Sequence, residues 1–285
     1  MTHGHSLKQA AAPLGRRSQV GLSLIELLVA MGLGLILVLG IGTVYLGSRQ
    51  SYRMQEANAR VQETGRFALE IIGRSLRLAG VDANITEIVN ENAAQCDELG
   101  GACTAINGTD DSTNGTTSDT FTVQYYAGLD QPDSNGDGLR ESRNCLGDNA
   151  DANVLVQEDF ALVGNDLQCT GTVGGVASAP QTLVSEIEDF QIIYGVDSDN
   201  NQSADIYTST PTGVQWPNVV TAKVCVMVRS ADQGLAPSGQ TPLDCPHALD
   251  TELIGTVALP AINDTRLHRA FVATYNLRNR ISNTP

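Results

Sequence analysis

Hydrophobic and polar positions fall into three regimes along the chain. Between residues 22 and 47 nearly every position is apolar, and Glu26 is the single formal charge. Residues 27–47 carry no charge at all. As a helix this run spans about 32 Å at ~1.5 Å per residue, enough to cross the hydrocarbon core of a bilayer. From residue 48 the pattern changes to helical spacing. Ala57, Val61, Gly65, Ala68, Ile72 and Leu76 recur every three or four positions and predict one apolar stripe. Arg49, Arg53, Glu56, Arg60, Glu63, Arg66, Glu70, Arg74 and Arg77 occupy the other faces, with Glu56/Arg60 and Glu70/Arg74 at helix-supporting spacing. Gly80 and Asp82-Ala83-Asn84 supply the stop. The expectation is one helix over residues 22–80, with a transmembrane part (22–47) and an amphipathic part (48–80).

Beyond residue 81 short runs rich in β-branched and aromatic residues replace the helical period. Residues 121–126, 153–157, 190–196, 219–228 and 269–277 read as strands, and 219–228 is the most apolar of them. Asn-, Asp-, Gly- and Thr-rich stretches such as 107–119 separate them and read as surface loops. Trp216, ahead of Pro217, reads as a core aromatic where the 219–228 strand begins. The predicted class is α+β: a long helix packing its second half on an antiparallel sheet, with a β-rich globular body over residues 81–285.

Charge sharpens this division. Residues 1–80 hold nine basic and four acidic side chains, whereas 81–260 hold four basic and 27 acidic. The net charge of the chain is −15. An acidic body repels phosphate and argues against nucleic-acid binding there. Residues 1–21 contain Lys8, Arg16 and Arg17 and no acid. Basic residues on that flank orient the apolar helix with its N-terminus in the cytoplasm and the body on the far side. A cleaved secretory signal fits less well, because the apolar run is long and no small-x-small site follows it.

All six cysteines, Cys96, Cys103, Cys145, Cys169, Cys225 and Cys245, lie in the body. An even count on the translocated side points to disulfides in an oxidising compartment. Fifteen connectivities are open; closure between near neighbours favours 96–103, 145–169 and 225–245. No Cys-x-x-Cys occurs, which speaks against zinc or redox chemistry.

Two acidic loops have the oxygen spacing of a Ca²⁺ loop. Asp133, Asn135, Asp137 and Glu141 stand at positions 1, 3, 5 and 9, with Gly138 at 6. Asn144 stands where a bidentate Glu would close an EF-hand, so the full motif is absent. Asp197, Asp199, Asn201 and Asp205 repeat the spacing, with Gln202 in the glycine position. Ordinary Asp/Asn turns fit the same residues. No cofactor is required, and Ca²⁺ is the one ion these loops suggest. Catalysis finds no motif: His247 and His268 lack a partner pattern, and no nucleophile elbow, zinc-helix motif or phosphate loop occurs. The chain reads as a non-enzyme.

One segment carries a family resemblance. Arg16-Arg17-Ser18-Gln19-Val20-Gly21-Leu22-Ser23-Leu24-Ile25-Glu26-Leu27 resembles the class III leader of type IV pilins and type II secretion pseudopilins. The resemblance implies removal of residues 1–21 by prepilin peptidase, which cuts between Gly21 and Leu22 and N-methylates Leu22. It places Glu26 at the fifth mature position, where the family has its assembly glutamate. Leu22 departs from the usual phenylalanine. A carboxylate one helical turn from the new α-amine would offset the desolvation either charge suffers alone. Residues 190–199, Trp216 with 219–230, and 266–280 are similar to PilW-type minor pilins.

That resemblance implies a minor pilin that primes assembly near the pilus tip, supporting twitching motility and adhesion. Its implied partners are the prepilin peptidase, other minor pilins and the major pilin through their N-terminal helices, and the inner-membrane assembly platform. Its implied location is the inner membrane, single-pass, with the body periplasmic, and then the pilus on the cell surface. A minor pseudopilin of a type II secretion system and a Ca²⁺-dependent tip adhesin are the alternatives.

Overall fold

The computed structural model describes residues 21, 23–81, 104–110, 118–127, 141–151, 154–249 and 258–277. The first element is one continuous helix, α1 (Leu24–Leu78). It is long and apolar enough to cross a membrane. Compactness divides the chain into residues 1–52 and residues 53–285. In the first unit the apolar side chains of α1 stand exposed, from Leu24 to Tyr52. An apolar surface of that extent on every side of a helix demands lipid or another helix, because water does not solvate it favourably.

In the second unit α1 is amphipathic, as the spacing predicts. Ala57, Val61, Gly65, Ala68, Ile72 and Leu76 are all buried, joined by Gly73 and Ser75. Arg60 and Glu56 form an exposed ion pair at 2.6 Å. The helix ends at Gly80, whose φ of +72° only glycine adopts cheaply. Its amide donates to the Gln124 carbonyl, so the chain leaves the helix already bonded to a strand.

Twelve strands follow among the described residues: β1 (Ile106–Thr109), β2 (Thr120–Tyr126), β3 (Glu141–Arg143), β4 (Asn149–Asp151), β5 (Leu155–Val163), β6 (Asp166–Val173), β7 (Val176–Ala177), β8 (Gln181–Ser185), β9 (Ile187–Val196), β10 (Ile206–Thr208), β11 (Val219–Arg229) and β12 (His268–Asn276). A short helix, α2 (Cys245–Leu249), lies between β11 and β12. The strands make two main antiparallel sheets. One has the order β1-β2-β5-β6-β7, with β8 also on β6; the other runs β10-β9-β11-β12.

The antiparallel sheet expected from sequence is present as these two main sheets, with β3-β4 as a separate pair among the described residues; residues 107–109, expected in a loop, pair with β2 from Asn107↔Thr122 to Thr109↔Thr120. Polar residues there hid a strand because its edge position asks for little burial. β6 carries little strand signal either, since the inward row of DLQCTGTV is Leu167, Cys169 and Gly171 between polar residues.

The two sheets share one core with α1. Ile72 and Leu76 meet Phe121, Phe160, Phe190, Val224 and Val226 in one buried cluster. Phe121 stacks on Phe160 at 4.7 Å and near Phe190 at 5.6 Å. Hydrogen bonds join the sheets: the Asp119 carboxylate accepts from the Ile192 amide at 2.8 Å, and the Asp119 amide donates to the Phe190 carbonyl. β11 is apolar on both faces for a physical reason. Val224, Val226 and Val228 face the main core, while Cys225 and Met227 face a second cluster with Cys245 and Leu249 of α2. Trp216 sits in a 3-10 turn (Trp216–Asn218) just before β11 and packs edge-on against Tyr194.

Candidate functional site

At the start of α1 the residues expected to direct processing and assembly are described in part. Gly21 lies in coil three residues before α1, and Leu22 falls outside the described residues. Ser23 and Glu26 bond reciprocally. The Glu26 amide donates to Ser23 Oγ at 3.3 Å, and the Ser23 amide donates to Glu26 Oε2 at 3.5 Å. This is a capping box, in which two otherwise unpaired amides at a helix N-terminus are satisfied. The Ser-x-x-Glu spacing of Ser23 and Glu26 is the sequence signal for it. Glu26 therefore has a local duty besides any pairing with the α-amine.

The seam between α1 and the β10-β9-β11-β12 sheet is built on two glycines. A Cβ on Gly65 would lie 2.3 Å from Phe271 Cδ2, and one on Gly73 would lie 2.2 Å from Tyr275 Cε1. The aromatic rings of β12 thus occupy the space that side chains would need. Tyr275 Oη donates to the Leu69 carbonyl at 2.5 Å, and Arg77 lies 5.9 Å from the Tyr275 ring centre.

Of the two acidic loops, Asp133, Asn135 and Asp137 fall outside the described residues, as does the Glu141 side chain. The second loop is described. Asp197, Asp199 and Asp205 bring carboxylate oxygens within 4.8 Å of one another. Asp197 is buried and accepts from the Asn201 and Gln202 amides. Asp199 accepts from the Asn201 backbone amide and side-chain Nδ2. Asp205 Oδ2 takes the Ser198 amide and hydroxyl, both at 2.8 Å, and these bonds hold its carboxyl below the usual range. Asn201 points its Oδ1 at the Ser203 amide. Positive φ at Asn200 and Gln202 folds the turn so tightly that the carboxylates converge.

Disulfides join Cys145 to Cys169 and Cys225 to Cys245. Cys96 and Cys103 lie outside the described residues. The first bond ties the β3–β4 hairpin to β6; the second ties β11 to α2. Lys223 adds a 2.6 Å bond from Nζ to the Leu249 carbonyl at the end of α2.

The fold gives two ionisable groups, Glu158 and His268, surroundings that no sequence motif marks. Glu158 occupies the inward row of β5 between Val156 and Phe160 and is buried. Tyr125 Oη donates to its Oε1 at 2.8 Å, while Oε2 lacks a well-placed partner. Burial pushes its pKa up, opposed by the Ser75 and Tyr125 hydroxyls, the Cys145 amide and the Arg74 charge. His268, at the start of β12, has a fully buried side chain. Its Nδ1 meets Glu188 Oε2, and its Nε2 lies 2.7 Å from Asp264 Oδ1. Burial works against its charge, but Glu188 and Asp264 outweigh that and raise its pKa. His247 is also buried, against Asp244. Both histidines are held by carboxylates within the fold.

A helix long and apolar enough to cross a membrane, whose continuation packs on antiparallel sheets, is an α+β arrangement that fits membrane anchoring. Residues 151–279 match the family model described as type IV pilus-assembly protein W, PilW. The match spans 129 of the 285 residues, and over that stretch the chain is similar to PilW. Among solved structures it is similar to a type IV-like pilin from Thermus thermophilus, at 12% identity and a TM-score of 0.47, covering 78% of this chain and 99% of that one. No curated protein matches it.

Proposed function

We propose that the chain is a minor pilin of the type IV pilus, processed after Gly21 and built into the fibre near its tip to prime assembly. The observation that carries this reading is a conjunction. A leader-like segment stands against an apolar helix at the N-terminal end, and the body matches PilW over residues 151–279. The role is structural: subunits join through their N-terminal helices, with prepilin peptidase, other pilins and the inner-membrane assembly platform as partners. Before assembly the helix spans the inner membrane with its N-terminus in the cytoplasm and the body in the periplasm. Afterwards the body is displayed on the cell surface, supporting twitching motility and adhesion.

Cleavage has a physical rationale in this reading. Lys8, Arg16 and Arg17 hold the uncut helix in place, because drawing each charge through the bilayer centre costs roughly 2.5–3.5 kcal/mol or more. Removing residues 1–21 leaves an apolar helix that can pass outward into a fibre. Replacing Gly21 with Leu tests this: the expected outcome is an uncut precursor retained in the membrane and loss of twitching. A wild-type mature chain beginning anywhere but at N-methylated Leu22 overturns it. If deletion abolishes protein secretion and leaves motility intact, the pseudopilin reading replaces it.

A second reading concerns Ca²⁺ at residues 197–205, favoured by the convergence of Asp197, Asp199 and Asp205. Hard carboxylate oxygens on a tight turn suit that ion, which would relieve their mutual repulsion. Calorimetric titration of the full chain in detergent should give heat that Asp205→Asn removes. No heat and no thermal stabilisation at millimolar Ca²⁺ dismisses a calcium-dependent adhesin.

A further inference from the structure

The end of the apolar run carries an ordered pattern that the assembly role leaves unused. Tyr45, Arg49 and Tyr52 follow one another at four- and three-residue spacing on α1. At about 100° per residue, Arg49 and Tyr52 lie within roughly 40° of Tyr45 around the helix axis. All three form one stripe on one face. Tyr45 is 60% exposed and Tyr52 68%, and Arg49 is exposed beside them. Arg49 places its guanidinium 5.8 Å from the Tyr45 ring centre, in the range of a cation–π contact. Among the described residues Arg49 makes no ion pair within 4.0 Å.

Three properties of this stripe point to the same partner. Tyrosine joins an apolar ring to a polar hydroxyl and concentrates where hydrocarbon meets water. An arginine with no carboxylate neighbour is complementary to phosphate. The third is position. Arg49 lies 23 residues beyond Glu26, about 34 Å along a helix, so with Glu26 at one face of the hydrocarbon the stripe falls in the opposite headgroup layer.

Resting on the membrane-anchored reading above, we infer that Tyr45, Arg49 and Tyr52 form an interfacial collar that binds anionic phospholipid headgroups and fixes the depth of the helix in the bilayer. The two rings sit at the ester and headgroup level, and the guanidinium reaches a lipid phosphate while lying against the Tyr45 ring. After removal of Lys8, Arg16 and Arg17 the collar is what sets helix depth, since no basic side chain remains on the cytoplasmic flank.

The test uses the full chain in vesicles of phosphatidylglycerol and phosphatidylethanolamine, and in vesicles of phosphatidylcholine alone. A cysteine placed by Thr43→Cys, Gly47→Cys or Gln50→Cys is probed with an impermeant maleimide and read by mass spectrometry. The expected result is protection at positions 43 and 47 and labelling at 50 in the anionic vesicles. Combining Arg49→Gln with Tyr45→Ala and Tyr52→Ala should raise labelling at 47 roughly fivefold, the effect of one lost arginine at an anionic surface. Phosphatidylcholine should reproduce part of that rise with the collar intact. Identical labelling in every background overturns the collar. So does protection at 50 that follows protein density and ignores lipid charge, which assigns the stripe to a neighbouring subunit. A chain that fails to float with vesicles refutes the membrane anchor itself, a distinct result.

Discussion

Tyr275 donates its hydroxyl to the carbonyl of Leu69 at 2.5 Å, and its ring fills the space beside Gly73. An edge strand thus clasps the helix through an aromatic that reaches the helix backbone, and Phe271 does the same beside Gly65 without the hydrogen bond.

This seam predicts that Gly65→Val is destabilising. The new side chain begins 2.3 Å from Phe271 Cδ2 and 2.6 Å from Cγ, too near the strand backbone for the ring to swing clear. Overpacking of this kind costs about 1–3 kcal/mol. The gain from removing a mid-helix glycine is at most about 1 kcal/mol, and a β-branched residue recovers less of it. Thermal unfolding of the detergent-solubilised chain should show a lower midpoint; Tyr275→Phe should lower it less, by the net worth of one hydrogen bond, about 1 kcal/mol.

Glu26 can be dissected because its two duties need different chemistry. The capping bonds to Ser23 require an acceptor oxygen, which glutamine retains. Pairing with an α-amine requires the negative charge. Glu26→Gln should leave helix content unchanged by circular dichroism and abolish incorporation into pili. Incorporation at the wild-type level would show that the charge is dispensable.

Glu158 predicts a pH dependence of stability. Its folded pKa is raised, chiefly by burial, so the folded state holds the proton more tightly than the unfolded chain. Its contribution is fully present below the ordinary carboxylate pKa and is lost as pH rises through the elevated folded value. Glu158→Gln keeps a group able to bond Tyr125 and should flatten this part of the profile. Denaturant midpoints measured from pH 4 upward check it.

His268 acts in the same direction at higher pH. Two carboxylates, Glu188 and Asp264, face its two ring nitrogens, and only the imidazolium donates from both. Its folded pKa is raised, with burial opposing and the two carboxylates prevailing. The clasp is complete below the ordinary histidine pKa and is lost as pH rises through the folded one. The nearby Arg266 pairs with Asp264 and Glu186, and Arg229 with Glu186, so those charges persist when the imidazole discharges. His268→Gln should remove the loss of stability expected as pH rises through the folded pKa, with the imidazole titration followed by NMR in the wild type.

Much of this molecule was legible because its signals are local. The anchor, the amphipathic stripe and the stop at Gly80 follow from helical period and charge. The most apolar strand run, at 219–228, became β11. The near-neighbour cysteine pairs 145–169 and 225–245 are the ones the fold joins. Weak strands with small or polar side chains were illegible, since β1 and β6 owe their place to partners far along the chain.

The sequence by itself determined the linear order of this protein: a basic flank, an uncharged run of bilayer length and an acidic body, each readable because hydropathy and charge act residue by residue. Only the tertiary structure decided that the described strands of the body divide between two main sheets, that Gly65 and Gly73 are sockets for β12, and that Glu158 and His268 are buried among opposing groups. Those outcomes depend on which distant segments share space, and burial and electrostatic energy are properties of that shared space rather than of any one stretch of chain.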